Sequence, residues 1–123
     1  MVRFTIDGEL ISLNEYIRSA RGNKYHNAKI KKDQQQYIGL FIHKAKLKQI
    51  NKPVCINILW VSKNARIDPD NRSFAIKMIC DSLVENGVLI DDSYKYVKEI
   101  HHKFKVDKKN PRIEVELMEI DNE

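Results

Sequence analysis

The stretch VCINILWV at residues 54–61 decides the fold of this chain. Its even-numbered residues are all apolar, and its odd-numbered residues are apolar except for Asn57. A strand that is apolar on one face and mostly apolar on the other is typical of the centre of a sheet. We therefore predict a central strand here, with the other elements arranged around it.

Before this strand, the sequence predicts a short strand at Arg3–Ile6 and a helix from about Ala28 to Gln49. The helix is indicated by apolar residues that recur near the period of 3.6 residues. Residues 10–26 are polar, basic and aromatic without clear periodicity, and Gly8 and Gly22 are breakers beside them. We interpret this stretch as a loop or a partly ordered arm.

After the central strand, a second helix is predicted from near Asp70 or Asn71 to about Asn86, because either side chain can cap it. Strands are predicted at about Tyr96–Val106 and Arg112–Met118; in the last one, apolar and charged residues alternate. The order β-α-β-α-β-β predicts the α/β (α+β) class, as a two-layer domain with a mixed sheet and two main helices.

The chain has 123 residues, which corresponds to a single domain over 1–123. Hydrophobic residues make up 42%, enough for one core but not for two. The mean hydropathy is −0.51, and no apolar run approaches the roughly 18 residues of a membrane span. The first residues alternate like a strand and lack the features of a signal peptide. The expected location is the cytoplasm, with no membrane partner.

The charge is unevenly distributed along the chain. The net charge is +5; residues 1–62 contain 11 basic and 4 acidic residues, whereas residues 63–123 contain 11 basic and 13 acidic residues. A basic half beside an acidic half indicates a polyanionic partner together with a carboxylate site. A basic protein without such a partner is the alternative.

Two acidic pairs are the strongest chemical feature. Asp68 and Asp70 lie two residues apart just before the second predicted helix, and Asp91 and Asp92 follow that helix. Mg²⁺ prefers oxygen ligands and commonly takes one or two carboxylates together with water and phosphate. Each pair alone also fits an ordinary helix cap or turn, so the metal site depends on the chain bringing the pairs together.

Lys77 is the next candidate. If one helix runs through, Lys77 lies about 20° short of two full turns from Asp70, on the same face. The lysine would then touch a scissile phosphate or stabilise developing charge. The alternative is an ordinary ion pair with Asp81, four residues on.

The cysteines and histidines favour no zinc enzyme. Cys55 and Cys80 stand among apolar neighbours, which predicts buried free thiols rather than a disulfide or zinc site. No zinc-hydrolase histidine pattern occurs, and His101 and His102 on one strand would point to opposite faces. Phosphate-binding glycine loops and serine-hydrolase motifs are also absent.

Aromatic and basic residues occur together in the segment 94–105. Tyr94, Tyr96 and Phe104 lie among four lysines. This combination suits distorted or unpaired nucleic acid, where phosphate contacts and base stacking both contribute. A strand with a buried aromatic face and a solvated lysine face is the alternative.

These motifs together resemble one known family. The string RIDPDN at residues 66–71, Lys77, DSL at 81–83 and GVLIDD at 87–92 resemble the RusA-type Holliday junction resolvases. The early stretch LNEY at 13–16, followed by Arg21 and Gly22, resembles that family's basic loop. Between Asn71 and Lys77 this chain has about three residues more than the shortest members, which implies an irregular first turn or a lysine farther from the metal.

The resemblance implies a homodimeric, phage or prophage α/β endonuclease that acts in the bacterial host cytoplasm, in recombination and repair. Such enzymes use Mg²⁺ or Mn²⁺ and resolve four-way DNA junctions by paired symmetric nicks. The implied carboxylates are Asp68, Asp70 and Asp92, with Asp91 adjacent, and the implied catalytic lysine is Lys77. The candidate DNA-binding residues are Arg18, Arg21, Lys24, Lys29, Lys31, Lys32, Arg66 and Arg72.

Two other readings stay open from the sequence. A non-catalytic phage DNA-binding protein would use Asp70 only as a helix cap, so its binding would survive Asp70→Asn. A small RNA-binding or protein-interaction domain is the third reading, although no recognised RNA motif is present.

Overall fold

Residues 54–61 form the central strand of a four-stranded sheet, as predicted. In a computed structural model, which describes residues 2–21 and 24–121 apart from the Lys24 side chain, the strands are β1 (Val2–Asp7), β2 (Val54–Ser62), β3 (Val97–Val106) and β4 (Arg112–Glu119). They are ordered β1-β4-β2-β3. The β2–β3 pair is parallel, whereas β4 is antiparallel to both β1 and β2, so the sheet is mixed.

Helices cover one face of this sheet. They are α1 (Leu13–Ala20), α2 (Lys24–Lys44), α3 (Pro69–Arg72) and α4 (Ile76–Glu85), with a 3-10 turn at Ser73–Ala75 before α4. Apolar residues of α2 and α4 form one buried cluster with residues of β1, β2 and β4. The predicted α+β class and two-layer mixed architecture are therefore confirmed. Within the described residues, no helix is long and apolar enough to cross a membrane.

The stretch predicted as a loop contains α1, so that prediction is wrong for Leu13–Ala20. Ser12 caps the helix: its hydroxyl accepts from the Glu15 backbone N–H, and the Glu15 carboxylate accepts from the Ser12 N–H. This Ser-x-x-Glu capping box was visible in the sequence. Gly22 and Asn23 lie outside the described residues.

Helix α2 is shifted towards the N-terminus relative to its prediction. It begins at Lys24 and ends at Lys44, whereas the prediction ran from Ala28 to Gln49. Lys46 has a φ of 53°, in the left-handed region, which a right-handed helix cannot contain. Apolar periodicity alone does not reveal where the backbone leaves the helix.

The Trp60 side chain connects the central strand to the edge strand β3 through a hydrogen bond. Its indole Nε1–H donates to His102 Nδ1 at 2.9 Å, and the two rings stack. Burial and the neighbouring His101 lower the pKa of His102 below its ordinary 6.5. The neutral ring is therefore the form that fits the folded state, because the imidazolium cannot accept this bond.

We expect stability to fall as pH drops below about 6.5. The unfolded His102 takes up a proton near its ordinary pKa, whereas the folded residue resists it until lower pH. Denaturant unfolding can be followed by Trp60 fluorescence at about pH 7.5 and about pH 5.5. Between these two pH values the free energy of unfolding should fall more for the native chain than for His102→Gln. Equal losses in the two proteins would contradict this role of His102.

Candidate functional site

The first acidic pair lies where the chain enters α3. Asp68 has an extended backbone (φ −65°, ψ 153°) and precedes Pro69, the first residue of the helix. Its side chain makes no capping hydrogen bond, although its carbonyl accepts from the Arg72 N–H at 2.9 Å. Asp70 Oδ1 accepts from the Asn71 N–H at 2.9 Å. The exposed Asp68 carboxylate therefore does not serve as the helix cap that the sequence also allowed.

The predicted continuous helix after Asn71 is broken into separate pieces. α3 is only four residues long, and the 3-10 turn at Ser73–Ala75 separates it from α4. The Phe74 ring in this turn packs against Tyr16 of α1, with ring centroids 5.1 Å apart. The additional residues near Arg72–Phe74 thus coincide with an irregular segment, which is one of the two expected outcomes. Rotation angles counted from Asp70 on an ideal helix do not apply across it.

Lys77, in the first turn of α4, contacts both Asp81 and Asp92. Its Nζ lies 3.0 Å from Asp81 Oδ1 and 3.7 Å from Asp92 Oδ2. The local ion pair and a contact with the second acidic pair are therefore both present. The hydrogen bond and charge of Asp81, supported by Asp92, raise the pKa of Lys77 above its ordinary 10.5. The lysine is accordingly held in its cationic form.

The chain returns to α4 through a tight segment after the helix. Gly87 has a φ of +74°, which favours glycine, and the Val88 N–H donates to the Leu83 carbonyl at 2.9 Å. A short parallel bridge joins Leu89 to Ile50. This path brings Asp92 back to Lys77 in the first turn of α4.

Asp81 has contacts on α2 that the sequence analysis did not predict. Besides Lys77, its carboxylate lies 3.5 Å from Lys31 Nζ and accepts a hydrogen bond from Gln35 Nε2 at 3.2 Å. It thereby connects α2 to α4. The spacing from Lys77 predicted the local ion pair, whereas the partners on α2 are distant in sequence and gave no signal.

The donor set of the aspartates fits a hard cation. Asp68, Asp70 and Asp92 offer only oxygen, and Asp91 Oδ1 accepts merely from the N–H of its neighbour Asp92. Among the described residues, these carboxylates do not form a group of three ligand atoms within 4.8 Å. Mg²⁺ retains several waters and needs only one or two direct carboxylates, so this open arrangement is compatible with it.

A cavity of about 360 Å³ with a net basic lining adjoins the first acidic pair, and we call it the basic cavity. Its charged lining residues are Arg18, Lys63, Arg66 and Arg72, against Glu9 and Glu15. The Asn14 N–H donates to Asn71 Oδ1 at 2.9 Å and so connects α1 to the acidic segment. Two predicted DNA-binding arginines, Arg18 and Arg66, therefore line the same cavity as Asn71 of the acidic segment.

The other predicted DNA-binding residues differ in their exposure. Arg21, Lys29 and Lys32 are exposed, whereas Lys31 is half-buried and paired with Asp81. The side chain of Lys24 lies outside the described part of the structure.

Arg72 is buried, which argues against the DNA contact expected for it. Only 4% of the residue is exposed. Its Nη1 donates to the Leu10 carbonyl at 2.6 Å, and its Nη2 lies 3.8 Å from a Glu9 carboxylate oxygen. The guanidinium instead connects α3 to the segment after β1. Sequence position beside the acidic motif could not distinguish this internal role from phosphate binding.

Cys80 lies behind the second acidic pair and is a buried free thiol, as predicted. Burial, with smaller contributions from Asp92 and Asp81, raises the pKa of its thiol from 9.0 to about 12.

We expect alkylation of Cys80 at neutral pH to be at least about 100-fold slower in the folded chain than in urea, because thiolate is the reactive form. Mass spectrometry of a Cys55→Ser variant measures this rate for Cys80 alone, and equal rates in both states would contradict it.

Comparison with known protein families finds one matching family model. The model of the RusA endodeoxyribonucleases matches residues 10–118 of the 123. No match to a curated individual protein was found. The matched range includes both acidic pairs, Lys77 and every residue that lines the basic cavity except Glu9, so the site described above lies almost entirely within the matched region. The chain belongs to the RusA endodeoxyribonuclease family.

Proposed function

We propose that this nuclease resolves four-way DNA junctions by Mg²⁺-dependent, paired symmetric nicks, in recombination and repair. The observation that carries the proposal is the exposed Asp68–Asp70 pair beside the basic cavity of Arg18 and Arg66. A carboxylate cluster alone repels DNA, whereas an adjoining cationic surface attracts the phosphates and keeps them near the carboxylates. The family membership supports cleavage over mere binding.

Asp68, Asp70 and Asp92, with Asp91 adjacent, are the proposed ligands of Mg²⁺ or Mn²⁺. When bound, the ion supplies an activated water and stabilises charge on the phosphate being cleaved. In this proposal Asp68 and Asp70 contribute from the start of α3, and Asp92 contributes from the segment that returns to α4. Their exposure leaves room for water and a phosphate oxygen, which Mg²⁺ retains among its ligands.

Lys77 is the proposed electrostatic residue of the site. Its Nζ is held between Asp81 and Asp92, and its raised pKa keeps it charged at neutral pH. A cation there balances the carboxylates and offers a donor to the phosphate. To contact a scissile phosphate, Lys77 Nζ would leave its position 3.7 Å from Asp92 Oδ2 and bind a phosphate oxygen instead.

We propose a homodimer as the active form. A four-way junction presents two strands to be nicked symmetrically, and a two-fold dimer presents two identical sites to them. The exposed basic residues Arg21, Lys29 and Lys32 would extend the phosphate contacts beyond the cavity. The resemblance to RusA-type resolvases also supports a phage or prophage origin and action in the cytoplasm of a bacterial host.

The test compares a synthetic four-way junction with a linear duplex of the same sequence. With Mg²⁺, we expect two nicks at symmetric positions in the junction and no comparable cleavage of the duplex; chelation should abolish both nicks. Light scattering during gel filtration should give the mass of a dimer. Junction binding without nicks, whatever the divalent ion, would instead favour the non-catalytic DNA-binding reading.

A further inference from the structure

The face of the sheet opposite the helices carries three side chains with different metal-binding atoms. In the register of β2 and β3, Cys55 pairs with Glu99, and Asn57 pairs with His101. The Cys55 thiol, a Glu99 carboxylate oxygen and a His101 ring nitrogen all lie within 4.8 Å of one another. Among the described residues, this is the one group of three such side chains at that spacing. None of the three takes part in the proposed nuclease site.

A bulge in β3 creates this group. Val97 pairs with Val54, but Glu99 pairs with Cys55, so Lys98 is an additional residue on β3. Side chains alternate along a strand, so Val97 and Glu99 would otherwise point to the same face. Val97 packs against the core, whereas the additional residue turns Glu99 and His101 towards the face that bears Cys55. Bulges of this kind commonly re-aim side chains at functional positions.

The spacing is close to that of a tetrahedral zinc site. His101 Nε2 and Glu99 Oε1 are 3.1 Å apart. Zinc bonds of about 2.0–2.3 Å at tetrahedral angles place ligand atoms roughly 3.3–3.6 Å apart. The other two separations are at most 4.8 Å, so the ligand atoms need to close by no more than about 1.5 Å, which side-chain rotation on an exposed strand supplies.

We propose that Cys55, Glu99 and His101 form a second metal site, selective for Zn²⁺ or a similar borderline-soft transition metal. A thiolate, an imidazole and a carboxylate form a typical donor set for zinc, with water in the fourth position. Mg²⁺ avoids sulfur and takes oxygen ligands, so the aspartates and this cluster would select different ions.

The surroundings of Cys55 favour a bound cation. The carboxylates of Glu99 and Glu116 act electrostatically on its thiol. A divalent cation among these groups would be attracted by both carboxylates and would stabilise the thiolate. Arg3 opposes this in part through its 3.0 Å ion pair with Glu116. An open groove of about 520 Å³, lined in part by Asn57 and His101, exposes the His101 side of the cluster to solvent.

A metal at this position would fasten the edge strand to the central strand. Cys55 lies on β2, whereas Glu99 and His101 lie on β3. Among the described strands, β3 is hydrogen-bonded on one side only. The chain between Asp92 and β3 also leads directly from the second acidic pair. Zinc binding would therefore stabilise the strand that follows the nuclease site.

The first test uses Co²⁺ as a spectroscopic probe on the full chain. Cobalt bound to a thiolate gives an intense charge-transfer absorption in the near ultraviolet, which oxygen ligands do not produce. We expect this absorption in the native chain and in Asp70→Asn, and its loss in Cys55→Ser. The matched control is Cys80→Ala, which removes the other thiol and should retain the absorption. Absence of the absorption in the native chain, or its survival in Cys55→Ser, would overturn the proposal.

The second test measures Zn²⁺ binding by calorimetry in the Asp70→Asn background, which weakens the acidic site. His101→Ala alters an exposed side chain and is expected to fold normally. We expect one zinc per chain and at least about a tenfold loss of affinity in His101→Ala. Saturating zinc should raise the thermal unfolding midpoint by about 5 °C, and only when His101 is present. Unchanged affinity in His101→Ala would refute the site.

Discussion

Asp70→Asn is expected to lower the rate of junction cleavage by about 10³-fold or more while junction binding persists. A metal ion contributes several kcal/mol to stabilising the charged transition state, and each 1.36 kcal/mol corresponds to about tenfold in rate. Asparagine retains the shape and one oxygen but removes the charge that holds the ion. The fold should tolerate this change, because the hydrogen bond that the structure shows for the Asp70 carboxylate is a local one from the adjacent Asn71 N–H.

Single-turnover cleavage and junction binding should be measured on the same preparations. Asp92→Asn is expected to behave like Asp70→Asn, and binding by either variant should equal or exceed that of the native chain because repulsion of phosphates falls. Glu85→Gln is the matched control, since it neutralises an exposed carboxylate at the far end of α4. Cleavage by Asp70→Asn within about threefold of the control would remove Asp70 from the metal site.

Arg72→Ala is expected to lower the free energy of unfolding by about 3 kcal/mol. The guanidinium is 4% exposed, and its removal leaves the buried Leu10 carbonyl without a donor and Glu9 without its cation. Loss of a buried charged partner costs more than the net contribution of the bond, because the remaining group stays desolvated. Arg72 Nε has no hydrogen-bond partner, so the native interaction is itself incomplete.

Denaturant unfolding measures this effect, and Arg66→Ala provides the contrast. Arg66 is exposed on the same acidic segment, so its replacement should change stability by less than about 0.5 kcal/mol. It should weaken junction binding. The magnitude of the slope of the logarithm of the binding constant against the logarithm of salt concentration should fall by the amount expected for about one phosphate contact. An Arg72→Ala variant of native stability with weakened DNA binding would show that Arg72 acts at the surface after all.

Several elements follow from the sequence because their signals are local. The alternation in Arg112–Met118 correctly predicts that Ile113, Val115 and Leu117 face the core. The breaker Gly87 correctly marks the end of the second helical region. The buried face of a strand is set by its own alternation, and the end of a helix is marked by the glycine that follows it. Both features can therefore be predicted from residues that are neighbours in sequence.

Two helix predictions failed for different reasons. α1 was missed although its sequence carries both local signals: Ser12 and Glu15 form its capping box, and Leu13, Tyr16, Ile17 and Ala20 recur at helical spacing. The second helix was predicted as continuous, whereas the turn at Ser73–Ala75 divides it. Tertiary contacts such as Tyr16 with Phe74 stabilise this departure, and they join residues far apart in sequence.

The sequence by itself determined the central strand, the α+β class and the chemical identity of the acidic segment. Only the tertiary structure decided which charged groups meet. It paired Lys77 with Asp92 through the return after Gly87, buried Arg72 against Leu10, and turned His101 towards Cys55 through a bulge. The physical reason is that hydrophobic periodicity acts within one element, whereas charge pairing depends on distances that the completed fold sets.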